Sequence, residues 1–113
     1  MLRGEVWTLN LNPTVGAEIR KTRPVIIVND DAIGILPLKV VVPVTDWKDR
    51  FEEVVWMTKI EPTGENGLTK DSAADAFQIR SVSQERFVRR LGKISEQQLA
   101  EISEALAIVL KIT

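Results

Sequence analysis

The chain has 113 residues, 44% of them hydrophobic, a formal net charge of −1, and no His, Cys or Tyr. This excludes disulfides, thiolate metal sites, a Cys nucleophile and an imidazole base, and the near-neutral charge excludes attraction of polyanions by bulk charge. One compact domain over residues 1–113 is expected, with a core small enough that self-association would add stability.

MLRGEVW enters an alternating pattern within a few residues and lacks the apolar core of a secretory signal. No apolar run approaches the roughly 18 residues of a membrane span, so a cytoplasmic protein is expected. EVWTLNLN reads as a half-buried strand, with Trp7, Leu9 and Leu11 on one face and Val6, Thr8 and Asn10 on the other. PTVGAEIRKT, opened by Pro13 and broken by Gly16, reads as a long loop of the kind that often carries function. RPVIIVND is a continuous β-branched run, expected to be a strand buried on both faces, and Pro24 near its start needs no ladder donor.

LKVVVPVT predicts a second buried strand, in which Pro43 points to a bulge or an edge position. DWKDR reads as a turn and FEEVVWMTKI as another strand. EPTGENGLTKDS, with Pro62, Gly64, Asn66 and Gly67, predicts a hairpin loop. AADAFQIRSVS alternates again, and RFVRRLGKI supplies a last short strand. Ser95 and Gln98 have the spacing of a capping box, and Leu99, Ile102, Leu106 and Val109 recur at helical spacing. The whole predicts a mainly β, α+β unit: a small, strongly bent sheet or barrel with one C-terminal amphipathic helix packed on it.

The chemistry must rest on Arg, Lys, Thr, Ser, acids or the backbone. Cations cluster at Arg20, Lys21 and Arg23, at Lys48 and Arg50, and at Arg86, Arg89, Arg90 and Lys93. Arg23 stands where a loop becomes a buried strand. It suits either a structural ion pair with Glu18 or Asp46, or an anion site in which its planar fork holds a phosphate. Thr45 ends LKVVVPVT and suits a local turn bond or a hydroxyl aimed into a cleft. Adjacent strands ending side by side would place Arg23 and Thr45 on one rim.

Ser72, Gln78 and Arg80 form a third group. Gln78 and Arg80 share a face opposite Phe77 and Ile79, which is a solvated sheet face unless Arg23 lies on the same side. Trp7 and Trp56 read as core, whereas Trp47 in TDWKDR reads as exposed, suited to base stacking or an interface. Glycine-rich phosphate loops, His-based metal motifs, calcium loops and Gly-x-Ser-x-Gly elbows are absent.

RGEVWTLNLNPTVGAEIRKTRPVIIVND, then VVVPVT, then FQIRSVS and a closing helix strongly resemble the MazF/PemK/Kid toxins of type II toxin-antitoxin modules, in the same order over nearly the whole chain. The resemblance implies an SH3-like barrel of the CcdB/MazF/Kid type, a homodimer, and a metal- and cofactor-independent endoribonuclease cutting single-stranded mRNA at short motifs. It puts Arg23 and Thr45 on the two catalytic positions, Gln78 on an RNA-contacting one and Glu18 on a loop position near the RNA. Arg20, Lys21, Trp47, Ser72 and Arg80 complete the expected RNA-binding set. The implied partner is an antitoxin whose acidic, largely disordered C-terminal segment lies across the RNA groove. One branch of the family carries a His in the first loop and an Arg and an Asp before the Gln. Those positions are Ala17, Asp75 and Phe77 here, so the chain resembles the branch that relies on Arg and Thr.

Such a site works without histidine because RNA supplies its own nucleophile, the 2′-hydroxyl. The enzyme has only to align it and stabilise the charge growing on the phosphoryl oxygens. Two other readings stand beside this one: a gyrase-directed toxin of the CcdB kind, which uses a Trp near the end of a helix where this chain has ALAIVLKIT, and a noncatalytic barrel that binds RNA or a partner.

Overall fold

The apolar runs of the sequence form the middle of one antiparallel sheet in a computed structural model that describes residues 1–10, 22–34 and 37–112. Its strands are β1 (Glu5–Asn10), β2 (Thr22–Ile27), β3 (Leu38–Asp46), β4 (Met57–Ile60), β5 (Ser72–Asp75), β6 (Arg80–Ser83) and β7 (Phe87–Lys93), followed by helix α1 (Glu96–Leu110). They are ordered β4-β5-β3-β2-β1-β7, and β6 pairs with β3. This is the mainly β architecture with one C-terminal helix that the sequence predicts.

Alternate side chains of the central strands enter two clusters. Val6, Ile26, Val28, Val42 and Val44 meet Ile60, Leu68, Ala74, Ile94 and Ile102 in one. Leu9, Val25, Ile27 and Val41 meet Val82 in the other, flanked by Trp7 and Phe87. β2 and β3 are thus buried on both faces, as their unbroken β-branched runs require. β1 departs from its half-buried reading: Val6 and Leu9 point to opposite faces and both are fully buried.

Pro43 lies in a central strand, not at an edge. It is opposite Val25 of β2. On its other side β3 pairs with β6 as far as Val41 and with β5 only from Val44, so Pro43 falls where the neighbour changes and no donor is needed there.

Two expected strands are shorter than the sequence pattern. In FEEVVWMTKI, Phe51 and Glu53 belong to a 3-10 turn (Asp49–Glu53), Val54 N–H bonds to the Phe51 carbonyl and Met57 N–H to the Val54 carbonyl, and the strand begins only at Met57. In AADAFQIRSVS the alternation is interrupted by a 3-10 turn, Ala76–Gln78, which the Asp75 side chain caps by accepting from Phe77 N–H. Phe77 is consequently 63% exposed and stacks edge-on against Trp56. Trp7 and Trp56, expected in the core, are half-buried, and so is Trp47, expected to be exposed.

The Ser95 capping box forms in full, its side chain accepting from Gln98 N–H while the Gln98 side chain accepts from Ser95 N–H. Ile102 drives into the first cluster, with Leu99 and Leu106 packed beside it. Among the described residues no helix is long and apolar enough to cross a membrane. The two ends of the strand order meet through backbone: β4 and β5 form the expected hairpin, and its connection reaches β7, where Lys93 N–H donates to the Glu65 carbonyl at 2.8 Å.

Glu5, 9% exposed at the start of β1, ties that strand to its neighbour. It accepts from the Trp7 indole N–H at 2.8 Å and lies 3.4 Å from the Arg90 guanidinium. Burial pushes its pKa up. The Trp7 bond, a backbone bond from Leu2, the terminal ammonium and Arg90 together outweigh burial and hold the carboxyl below its usual 4.5. The stabilisation from Glu5 is therefore complete above about pH 4.5 and is lost as pH falls through the lowered value. Glu5→Gln should cost about 1–2 kcal/mol at pH 7, and urea unfolding curves of the variant and the wild type should draw together as pH falls below 4.5 through the lowered value.

Candidate active site

Arg23 and Thr45 come together because β2 and β3 run antiparallel in a fixed register. Val25 is opposite Pro43 and Ile27 opposite Val41. Carrying that register two residues further sets Arg23 opposite Thr45, on the face that holds Val25 and Val41. Both residues line a cleft of about 410 Å³. Leu9, Val25, Val41 and Pro43 contribute its apolar lining, and Asp75, Gln78 and Arg80 its remaining polar lining. The solvated sheet face expected to carry Gln78 and Arg80 is thus the side that also carries Arg23.

A second cleft, of about 330 Å³, shares Arg23 and Thr45 and continues past Asp46, Thr69, Lys70 and Ser72. The two clefts thus meet at the Arg23–Thr45 pair, which lines both.

Arg23 is exposed, so no buried charge demands compensation. The carboxylate that could have paired with it, Asp46, is bonded to Lys70 at 3.0 Å, and among the described residues Arg23 has no ion pair. Of the two readings of Arg23, the Asp46 ion pair is thereby removed; Glu18, the other proposed partner, lies outside the described residues. An exposed guanidinium with no ion pair among the described residues, opposite a hydroxyl on one cleft, is an arrangement suited to a phosphate.

The remaining candidates divide. Gln78 and Arg80 are exposed and line the first cleft; Ser72 is buried, lines the second and donates its hydroxyl to the Lys70 carbonyl at 2.9 Å. Trp47 lines neither cleft: it packs edge-on against Phe51 and lies under the Lys59 ammonium, 5.2 Å from its ring centroid. Glu18, Arg20, Lys21 and Ala17 lie outside the described residues. Asp75 lines the cleft, whereas the sequence marks it only as a departure from a family pattern. Its signal is the Asp-x-Phe-Gln spacing of a capped turn, hidden by the apparent alternation around it. No group of three or more His, Cys, Asp or Glu able to hold a metal occurs among the described residues.

Residues 2–110 match the family described as PemK-like, MazF-like toxin of type II toxin-antitoxin system. The chain is 33% identical to the endoribonuclease MazF9 of Mycobacterium tuberculosis, over 99% of this chain and 98% of the relative. It is 30% identical to the endoribonuclease PemK of Escherichia coli, over 97% and 82%. Two solved structures share the fold. One is an endoribonuclease in complex with its cognate antitoxin from a mycobacterial species, at TM-score 0.80 and 21% identity over 100% of this chain and 97% of that one. The other is a MazE-MazF complex from Deinococcus radiodurans, at TM-score 0.79 and 22% identity over 100% and 98%.

Proposed function

The chain belongs to the PemK-like, MazF-like toxin family of type II toxin-antitoxin systems, and we propose that it is the endoribonuclease of such a module, cutting single-stranded mRNA at the Arg23–Thr45 cleft. The observation that carries this reading is the Arg23 guanidinium, without an ion pair among the described residues, set opposite Thr45 where two clefts meet. The names of its relatives support a ribonuclease over a gyrase-directed toxin.

Arg23 stabilises the negative charge that grows on the phosphoryl oxygens as the RNA 2′-hydroxyl attacks in line with the leaving 5′-oxygen. A guanidinium holds its protons firmly, so its contribution is electrostatic. Thr45 orients the phosphate or the attacking hydroxyl. Gln78 and Arg80, with Ser72 and with Glu18, Arg20 and Lys21, hold the flanking nucleotides, and Trp47 lies at the periphery. The bond made is 2′-oxygen to phosphorus and the bond broken is phosphorus to 5′-oxygen, so the ends are a 2′,3′-cyclic phosphate and a 5′-hydroxyl. No cofactor enters this scheme.

The protein would act in the cytoplasm as a homodimer of single domains spanning residues 1–113. A cognate antitoxin would silence it by laying an acidic, largely disordered segment over the cationic cleft, its carboxylates taking the place of phosphates.

The test is to incubate the purified protein with a long unstructured RNA in EDTA and to map the cuts and their end groups. Cuts at a short recurring motif with cyclic-phosphate and 5′-hydroxyl ends are expected, and a single 2′-deoxy substitution at the scissile position should abolish the cut there. Cleavage of the deoxy-substituted RNA, or no cleavage by folded protein free of antitoxin, would overturn the reading.

A further inference from the structure

We infer that Asp75 is a positioning residue that fixes which end of the Gln78 side-chain amide faces the cleft, so that Gln78 offers a carbonyl oxygen and favours a base with an amino group, not a carbonyl, at position 6 of a purine or position 4 of a pyrimidine. The inference rests on the ribonuclease reading for its RNA partner. Asp75 closes β5 and is 6% exposed. One carboxylate oxygen accepts from Phe77 N–H at 3.1 Å, and the other accepts from Gln78 Nε2 at 2.7 Å.

A carboxylate can only accept, so the end of the amide that meets it is the NH2 group. Turning the amide over would set carbonyl against carboxylate and leave a nearly buried acceptor without its partner, which is costly. Gln78 is exposed, and among the described residues nothing else holds its side chain. Its Oε1 is therefore the end left for a ligand, on the same cleft as Arg23 and Thr45.

An acceptor in a fixed position distinguishes bases by the group it faces. Where it faces position 6 of a purine or position 4 of a pyrimidine, adenine and cytosine present an amino donor and guanine and uracil a carbonyl, and two facing acceptors repel. At one nucleotide position of the cleavage motif, adenine should therefore be preferred over guanine, or cytosine over uracil, by about tenfold in relative kcat/KM.

Asp75→Asn separates this role from simple capping, because Asn caps a helical turn as well as Asp does. Its carbonyl keeps the Phe77 N–H, and its NH2 stands where the second oxygen stood. Gln78 must then turn its carbonyl inward and present NH2 to the cleft. The experiment is to cut a randomised RNA pool with wild type, Asp75→Asn and the double variant Asp75→Asn/Gln78→Glu, sequencing the ends.

The single variant should reverse the amino-over-keto preference at that one position. The double variant should restore it, since the carboxylate introduced by Gln78→Glu accepts from the Asn amide and again turns an oxygen outward. A wild-type cleavage motif in Asp75→Asn would overturn the inference and leave Asp75 a cap only. If wild type cuts no RNA, the ribonuclease reading fails separately, and side-chain amide exchange measured by 15N NMR in the free protein decides this one. Gln78 Nε2 protons exchanging more slowly than those of exposed Gln97, and losing that protection in Asp75→Asn, support it. Exchange as fast as Gln97 in wild type overturns it.

Discussion

Arg23→Ala should lower the rate of RNA cleavage roughly 100- to 1,000-fold, the loss typical of one preorganised donor at a developing oxyanion. The fold should be unaffected. Arg23 is exposed and, among the described residues, makes no ion pair, so truncation leaves no buried partner stranded and the unfolding free energy should move by less than about 0.5 kcal/mol. Arg23→Lys keeps the charge but loses the planar fork that grips two phosphoryl oxygens, and its rate should fall between the two. The check is single-turnover cleavage of a defined RNA beside urea unfolding of the same preparations. A variant that cuts at the wild-type rate, or one that unfolds, would remove Arg23 from the chemistry; the second result would return it to a structural role.

This prediction draws on a part of the site that is legible in the sequence. β2 and β3 announce themselves as unbroken β-branched runs, and two antiparallel strands in register bring Arg23 and Thr45 to one rim by geometry alone. The helix is legible for a similar reason: its cap is a local chemical pattern, Ser95 with Gln98, that needs no tertiary partner. Failures occur where a side chain overrides the hydrophobic pattern. Asp75 captures Phe77 N–H and turns the chain, so a run that alternates on paper becomes a strand, a tight turn and a second strand, with Phe77 outside. The same event hides Asp75 as a residue of the cleft. β1 misleads because Thr8 and Asn10 suggest half-burial, whereas Val6 is sealed by the helix side of the barrel. Trp47 misleads because a polar turn suggests exposure, and nothing local tells that Phe51 and Lys59 will fold over the ring.

Gly92→Ala should be strongly destabilising although it adds one methyl outside the cleft, costing on the order of 2–4 kcal/mol, a large share of the stability of a small domain. A Cβ at Gly92 would sit 2.1 Å from the Glu65 carbonyl oxygen, 2.7 Å from the Asn66 carbonyl carbon and 2.9 Å from the Asn66 Cα. All three are backbone atoms, so no side chain can rotate away. Gly67 faces the mirror problem, with the Leu91 carbonyl oxygen 2.1 Å from where its Cβ would be, and its φ of +70° adds strain for any other residue.

The loop cannot simply retreat. Asn66 is fully buried and pins it from within: its Oδ1 accepts from Thr63 N–H and Leu68 N–H, both at 3.0 Å, and its Nδ2 donates to the Glu61 carbonyl at 2.9 Å. Separating the backbones far enough to admit a methyl would also stretch the bond from Lys93 N–H to Glu65, the contact that joins the β4–β5 hairpin to β7 and closes the barrel. Gly64→Ala in the same loop meets nothing within 4 Å and should be neutral within about 0.5 kcal/mol. Urea unfolding of the two variants, with hydrogen exchange at the Lys93 amide, tests the argument: Gly92→Ala should shift the midpoint and deprotect Lys93, and Gly64→Ala should do neither. Equal midpoints would mean that the hairpin loop and β7 are not in fixed contact, and that closure of the barrel depends on side-chain packing in its core.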